Sequence, residues 1–335
     1  MGTVTSRRRL VGVLSVLLLA ASCTPTRREV VVYTSVDQVF SEPVLREFEQ
    51  ASGIRVRAVY DTEEAKSTGV VNRLIAESEN PQADVFWSGD VFRVLVLKRK
   101  GVLTPHQAPP GVPSRLRDPE GFWTGFSGRA RVLVFDRDRT REPLPRGLGD
   151  FTAPDRRGEL ALANPLFGTT TVHVAALFVA LGEEAGAKLF DALRENGVRL
   201  VASNSESLKS VLGGQSSFGL TDTDDAFVAL QDGRPLGLLF PDQDGPGTLF
   251  VPNALARIAK GPNPSEAQRL IDYLLTPEVE ESLRQSAGQI PTLPGGKEPE
   301  GFPPLSGIRF MDVDYASVAR MVEEIRPYLQ RWTGM

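Results

Sequence analysis

The sequence predicts an α/β protein of two lobes built on parallel strands. Short β-branched or apolar runs alternate with segments whose apolar residues have helical spacing, and this alternation is typical of parallel strands joined by crossover helices. The chain has 335 residues, of which 41% are hydrophobic, so it can bury a large core. A chain of this length usually divides into more than one folding unit, which favours two lobes over one.

The first lobe is predicted from three successive strand and helix pairs. The strands are expected at residues 29–33, 54–60 and 83–87. Each strand is followed by a helical pattern, centred on Phe48, Leu74 and Leu95 in turn. Parallel sheets bind ligands outside the carboxyl ends of their strands, where this chain carries Ser35 and Ser88. Both serines are therefore candidate ligand contacts.

The second lobe repeats the pattern after a polar, proline-broken exit at 136–154. A strand at 131–135 precedes this exit, strands are expected after it at 159–163, 198–202 and 215–220, and an extended return segment is expected at 248–252. Helices are expected at 171–181, around Leu189, along the apolar stripe at 267–275, and at 315–332. The helix at 171–181 is apolar nearly all round, which predicts a place in a core.

The N-terminus carries an export signal. Arg7, Arg8 and Arg9 precede an apolar run at 10–21, and Ser22 then stands directly before Cys23, the single cysteine. This order predicts a signal peptide over 1–22, lipidation of Cys23 and a polar tether over 23–28. An ordinary signal peptide or a retained anchor is the alternative, although the run is shorter than the ~20 apolar residues that span a bilayer. The protein is thus expected on the periplasmic side of a bacterial membrane, held there by lipid alone.

Composition excludes several classes of function. The formal net charge is −4, so no basic face for a nucleic-acid partner is expected. One cysteine and two histidines, His106 and His173, exclude a disulfide framework and a clustered cysteine or histidine metal site. His173 is expected to be a core residue.

Two polar clusters are candidate ligand sites. Gly168 and the following Thr169, Thr170 and Thr171 begin a predicted helix, where free backbone N–H groups and hydroxyls suit an anion. Simple capping of the helix is the alternative. Asp222, Asp224 and Asp225 follow a predicted strand. These carboxylates suit a hard metal, an ammonium or hydroxyl group, or a helix cap.

Four motifs in order resemble one family. They are Tyr33-Thr34-Ser35, Ala83-Asp84-Val85-Phe86, Ser127-Gly128-Arg129, and the nine residues at 270–278. Together they resemble the ferric-ion-type periplasmic substrate-binding proteins of bacterial ABC importers, over nearly the whole mature chain. The resemblance implies a type II periplasmic-binding-protein fold whose lobes, at 29–130 plus 253–335 and at 131–252, are joined by crossing hinge strands. It also implies a monomer without catalytic activity or cofactor, which partners a permease and traps a small molecule or ion between its lobes.

The resemblance carries site residues with it. It implies anion contacts from Thr169, Thr170 and Thr171, a second contact from Asn204, and a charged contact from Arg129. Ferric binders of the family have adjacent tyrosines near 221–225, but this chain has the three aspartates there, and its five tyrosines include no pair. Asp224 and Asp225 are therefore the candidate metal ligands.

Three functions follow from these patterns. The first is capture of ferric ion with a synergistic anion, as the family implies. The second is capture of a small organic phosphate or phosphonate, with the oxyanion on the threonines and a cationic or polar tail on the aspartates. The third is an extracytoplasmic phosphatase in which Asp222 and Asp224 form a D-x-D nucleophile motif, although Ala226 stands where such hydrolases have threonine or valine.

Overall fold

The computed structural model describes Gly2, residues 28–61 and residues 69–334. The predicted signal peptide and Cys23 lie outside the described residues, as does the tether up to Arg27. Within the part of the chain that the structure describes, no helix is both long enough and apolar enough to cross a membrane.

The first lobe has the predicted alternation of strands and helices. Its strands are β1 (Glu29–Thr34), β2 (Arg55–Tyr60), β3 (Val85–Ser88) and the short β4 (Leu103–Thr104), and its helices are α1 (Gln38–Ser52), α2 (Gly69–Ala76) and α3 (Val91–Arg99). β1 pairs in parallel with both β2 and β3, as crossover helices require. The carboxyl ends of β1 and β3 therefore lie side by side.

Two long strands cross between the lobes. They are β5 (Thr124–Asp136) and β10 (Phe250–Ile258), which pair with each other in antiparallel fashion. β10 also pairs with β3, while the second half of β5 pairs with β8 (Phe218–Asp222) and β9 (Leu236–Leu239). The predicted strand at 131–135 is thus only part of β5. The earlier half of β5 was not predicted, because its apolar pattern is interrupted by Gly125, Ser127 and Gly128.

The crossing is irregular at one point. The register of the two strands shifts between Pro252 and Asn253, and Ser127 opposite has a φ of 40°. An extra residue of this kind bends a strand and strengthens its twist. The bulge therefore lies where the chain passes from one lobe to the other.

The second lobe repeats the parallel arrangement. β6 (Leu160–Ala163) pairs in parallel with β7 (Arg199–Val201) and β8, and the helices are α4 (Gly168–Leu181), α5 (Glu183–Glu195), α6 (Asn204–Leu212) and α7 (Thr223–Gln231). The order across the whole sheet is β2-β1-β3-β10-β5-β8-β6-β7. The predicted α/β fold of two lobes joined by crossing strands is confirmed. β8 extends two residues beyond the predicted strand end, so Asp222 lies on the strand and not in a loop.

The C-terminal region differs from its prediction. It contains α8 (Pro264–Leu274), α9 (Pro277–Ala287), α10 (Tyr315–Glu324) and α11 (Arg326–Thr333). The single helix predicted at 315–332 is wrong, because Pro327 lies in the first turn of α11 and separates it from α10. α11 packs on the second lobe, where the Trp332 indole N–H donates to the carbonyl oxygen of Phe190 at 2.9 Å.

Candidate ligand-binding cavity

A cavity of about 380 Å³ lies beside the crossing strands and is lined by both lobes. The first lobe contributes the ends of β1 and β3, and the second contributes the starts of α4, α6 and α7. Seven of the residues singled out from sequence line it, namely Ser35, Arg129, Thr169, Asn204, Asp222, Asp224 and Asp225. Segments far apart in the chain therefore converge on one site.

The other three predicted residues do not line the cavity. Ser88 is fully buried, and its Oγ accepts a hydrogen bond from the Asp90 N–H at 3.4 Å. Thr170 is buried and donates to Asn204 Oδ1 at 3.2 Å. Thr171 Oγ1 is buried without a hydrogen-bond partner among the described residues. The hydroxyls of α4 thus face different surroundings.

Capping does not explain the polar residues at these helix starts. Phe167 occupies the N-cap position of α4, and no side chain caps that helix. Asp222 occupies the N-cap position of α7 but makes no capping hydrogen bond. The threonines of α4 and Asp222 at the start of α7 therefore do not serve as N-caps of these helices.

Asp222 is the centre of the polar network. Its Oδ1 accepts a hydrogen bond from Arg131 Nη1 at 2.7 Å. Its Oδ2 accepts from Thr169 Oγ1 at 2.6 Å and from Asn204 Nδ2 at 2.9 Å. Arg129 Nε lies 3.5 Å from the same oxygen. Four side chains from β5, α4 and α6 are therefore directed at one carboxylate.

The aspartates differ in their electrostatics. Burial opposes the charge of Asp222, but the Arg131 and Arg129 guanidiniums and the Thr169 hydrogen bond outweigh burial and lower its pKa. Partial loss of hydration in the cavity and the charges of Asp222 and Asp225 raise the pKa of Asp224, although Arg129 opposes this. Burial and the charge of Asp222 likewise raise the pKa of Asp225. A bound cation would relieve the repulsion among the three carboxylates.

Asp224 and Asp225 retain acceptor capacity. One ligand oxygen from each of Asp222, Asp224 and Asp225 lies within 4.8 Å of the others. Asp225 is oriented by the hydroxyls of Ser205 at 2.9 Å and Thr221 at 2.8 Å. The Asp224 side chain is 44% exposed, and its Oδ1 accepts from the Asp225 N–H at 3.0 Å. Carboxylate oxygens in such a group are suitable ligands for a hard cation.

No tyrosine is among the described residues that line the cavity. The Tyr33 hydroxyl donates to Glu77 at 3.0 Å, and burial together with that contact raises the pKa of Tyr33 to about 12. Burial also raises the pKa of Tyr60. Phenolate ligands are therefore not supplied by this arrangement.

Sequence reasoning missed Arg131 as a site residue. Arg131 opens the predicted apolar strand, is completely buried, and forms an ion pair with Asp222 at 2.7 Å. A charged residue at the start of a buried strand needs a partner, and this was the available signal. Asp37 and Asp90 also line the cavity and were missed.

His173 is buried near Arg131 and Asp222. Burial and the Arg131 charge lower the pKa of His173 to about 3, as suits a neutral core histidine.

Comparisons with known proteins define the class. The family model described as "Bacterial extracellular solute-binding protein" matches residues 80–319, so the chain belongs to that family. The chain is 25% identical to Iron uptake protein A1 of Synechocystis sp. over 283 residues, covering 80% of this chain and 77% of that protein. It is 26% identical to the Major ferric iron-binding protein of Neisseria meningitidis over 292 residues, covering 83% and 86%.

The solved structures agree on the fold. The Trichodesmium protein IdiA (FutA), in complex with iron and citrate ligands, superposes with a TM-score of 0.82 at 19% identity. That match covers 91% of this chain and 99% of the other. The fold is therefore shared with this structure, while the family model and the two named relatives confirm the class of solute-binding protein and the resemblance to ferric-ion-type members.

Family membership makes the chain a binding protein and not an enzyme. The phosphatase alternative is accordingly wrong. The geometry gives the physical reason, because Arg131, Thr169 and Asn204 hold the Asp222 carboxylate that a nucleophile would need free.

Proposed function

We propose that this chain captures ferric ion for an ABC importer. The observation that carries the proposal is the charge of the cavity, which is lined by five carboxylates and one guanidinium. The carboxylates are Asp37, Asp90, Asp222, Asp224 and Asp225, and the guanidinium is that of Arg129. Arg93 pairs with Asp90 at 3.3 Å and Arg131 with Asp222 at 2.7 Å, but the charge that remains still favours a cation over a free anion. The relatives named for iron uptake and ferric-iron binding support the same cargo.

Asp224 and Asp225 are the proposed metal ligands. Their oxygens are hard donors and lie close together, whereas Asp222 is fully engaged with its own donors. Thr169, Asn204 and Arg129 orient Asp222, and Ser35 faces the same cavity from the first lobe. Ser88 and Thr170 do not line the cavity but hydrogen-bond to the lining residues Asp90 and Asn204, whereas the Thr171 hydroxyl hydrogen-bonds to neither.

The organic phosphate alternative is less well supported. A phosphate group would need the hydroxyl, amide and guanidinium donors at the start of α4, and those donors already bind Asp222. It would also enter a cavity with more negative than positive side chains.

The remaining features complete the proposal. Lobe 1 comprises residues 29–130 and 253–335, and lobe 2 comprises residues 131–252. Lipidated Cys23 holds a monomer on the periplasmic side of a bacterial membrane, where it delivers cargo to its permease. Membrane contact is through the lipid alone.

Competition titration with ferric nitrilotriacetate tests the cargo. The Asp224→Asn/Asp225→Asn double variant should lose at least about tenfold in ferric affinity, because charge-assisted ligands are replaced by neutral amides. Asp232→Asn is the matched control, since Asp232 is exposed at the other end of α7, and it should bind like the natural protein. Equal ferric affinity in the double variant and the control, or selective binding of a phosphate ester by the natural protein, would overturn the proposal.

A further inference from the structure

The start of α4 has the donors of an oxyanion site, but a side chain of the same protein already uses them. The Thr169 hydroxyl, the Asn204 amide and the Arg131 guanidinium all donate to the Asp222 carboxylate, at 2.6 to 2.9 Å. Arg129 Nε lies 3.5 Å away on the cavity side. The four donor groups belong to β5, α4 and α6, so the cluster is assembled by the tertiary fold.

We propose that Asp222 is a built-in anion, which occupies the oxyanion position of this site and lets the protein load its metal without a co-bound free anion. The part of this inference that concerns metal loading rests on the proposed function. The part that concerns the anion position rests on the contacts of Asp222 alone. Asp222 therefore determines whether a free anion binds together with the metal.

Burial supports a permanent role for the carboxylate. Arg131 is 0% exposed and Asp222, at the cavity surface, is only 5% exposed, so Arg131 has no contact with water and Asp222 has little. A buried charge persists only when it is paired and hydrogen-bonded, and each oxygen of Asp222 meets that condition. A free anion at the same donors would have to lie against this carboxylate, and like charges at such separation repel.

Tethering gives the carboxylate a further advantage over a dissolved anion. β8 fixes the backbone of Asp222 in antiparallel register with Arg131 of β5, so the two side chains meet without loss of translational freedom. A dissolved anion would incur that loss on each binding event. The built-in group therefore outcompetes it at ordinary anion concentrations.

Chemical rescue tests the anion position without any metal. Asp222→Ala removes the carboxylate and leaves space for formate, which carries the same functional group. We expect titration calorimetry to detect formate binding to metal-free Asp222→Ala and not to the natural protein. Formate should also raise the melting temperature of the variant alone, as a ligand of the folded state does. Asp225→Ala is the matched control and should gain neither response.

Ferric loading tests the consequence. In buffer whose only small oxyanion is nitrilotriacetate at a fixed concentration, Asp222→Ala should bind ferric ion at least about tenfold more weakly than the natural protein, and added formate should restore the affinity. The natural protein should be indifferent to formate. If no form binds ferric ion, the proposed cargo fails while the metal-free formate experiment still decides the role of Asp222.

Two results would overturn the inference. One is a folded Asp222→Ala variant that shows no formate binding in calorimetry and no rise in melting temperature with formate. The other needs no variant at Asp222 and so applies even if Asp222→Ala does not fold. It is phosphate binding by the natural metal-free protein that is lost in Thr169→Val, which would show that the donors remain open to a free anion.

Discussion

Asp222 and Asp242 are carboxylates in opposite electrostatic settings. Asp222 faces two guanidiniums, which lower its pKa despite burial. No guanidinium of the described residues pairs with Asp242, and burial raises its pKa to about 6 although the Leu148 N–H donates to it. Asp242 Oδ2 is buried without a hydrogen-bond partner among the described residues. The first charge is therefore stabilised by the fold and the second is disfavoured by it.

We expect Asp242→Asn to stabilise the protein above pH 6. The folded-state pKa of about 6 exceeds the ordinary value of 3.8, so the folded state binds the proton more tightly and ionisation at higher pH destabilises it. The gain on removing the charge is at most about 3 kcal/mol, from 1.36 kcal/mol per pKa unit. Asparagine also tolerates the φ of 63° at this position. Urea unfolding at pH 8 and pH 4 should show the gain at pH 8 and its decline toward pH 4.

Asp244→Asn is the control for this effect. Asp244 lies in the same turn, but its side chain is 65% exposed. Its substitution should change the free energy of unfolding by less than about 0.5 kcal/mol at either pH. A gain in Asp242→Asn that was equal at both pH values would contradict the electrostatic explanation.

The tyrosines give a second test at the residue scale. Because no described tyrosine lines the cavity, a ferric complex should lack the visible phenolate-to-iron charge-transfer band. Carboxylate ligands have no comparable low-energy band, so the loaded protein should be nearly colourless. Visible absorption of the iron-loaded protein measures this directly. A red or orange sample that bleaches in Tyr33→Phe or Tyr60→Phe would contradict the assignment of carboxylate ligands.

Glu280 of α9 stabilises the bulge in β5 through hydrogen bonds. Its carboxylate is 1% exposed and accepts from the Ser127 N–H at 2.7 Å. It also accepts from Thr292 and Leu293 in the segment after α9, at 2.7 to 3.0 Å. The same bulge contacts Gln289 through the Ser127 hydroxyl at 2.9 Å. One helix therefore fixes the point where the strands cross between the lobes.

Glu280→Gln should destabilise the protein by roughly 1.5–3 kcal/mol, because an amide NH₂ would replace an acceptor that faces buried N–H groups. Chemical denaturation of the purified protein measures this difference. Glu281→Gln is the control, because Glu281 is partly exposed and its main partner is Arg284 on the same helix. Its effect should stay below about 1 kcal/mol. Equal effects of the two substitutions would exclude a special role for Glu280.

Arg129 connects the two lobes at the scale of the whole molecule. Its Nη1 donates to the Gly89 carbonyl oxygen at 2.7 Å in the first lobe, and its Nε faces Asp222 and Asp224 in the second. Cargo held by the aspartates would reinforce this bridge, since such contacts to both lobes exist only when the lobes are close. We expect ferric loading to reduce the radius of gyration measured by small-angle scattering. No compaction at saturating ferric ion would refute closure, and the Asp224→Asn/Asp225→Asn variant should show none.

The anchor is also a property of the whole molecule. If Cys23 carries the lipid, Cys23→Ala should release the protein from membranes, because no other membrane attachment is expected from the sequence. Fractionation after a high-salt wash measures the released share. Retention of the variant in the membrane fraction would assign the anchor elsewhere.

The sequence by itself determined the class of fold and most of its elements. Helical and strand periodicity depend on neighbours within a few residues, so the alternation in both lobes could be predicted without tertiary information. It also supplied seven of the residues that line the cavity, because polar side chains after buried strands meet at one sheet edge. The errors fell where local patterns break, at the bulge around Ser127 and at Pro327 between α10 and α11.

Only the tertiary structure decided the partners of these residues. Arg131 and Asp222 are 91 positions apart, and Thr169 and Asp222 are 53 apart. Their contacts follow from the antiparallel register of β5 and β8 and from the position of α4 beside them, which no local pattern encodes. The sequence therefore predicted donors for an anion at α4, and only the fold directed one of them, the Thr169 hydroxyl, to a carboxylate of the same chain.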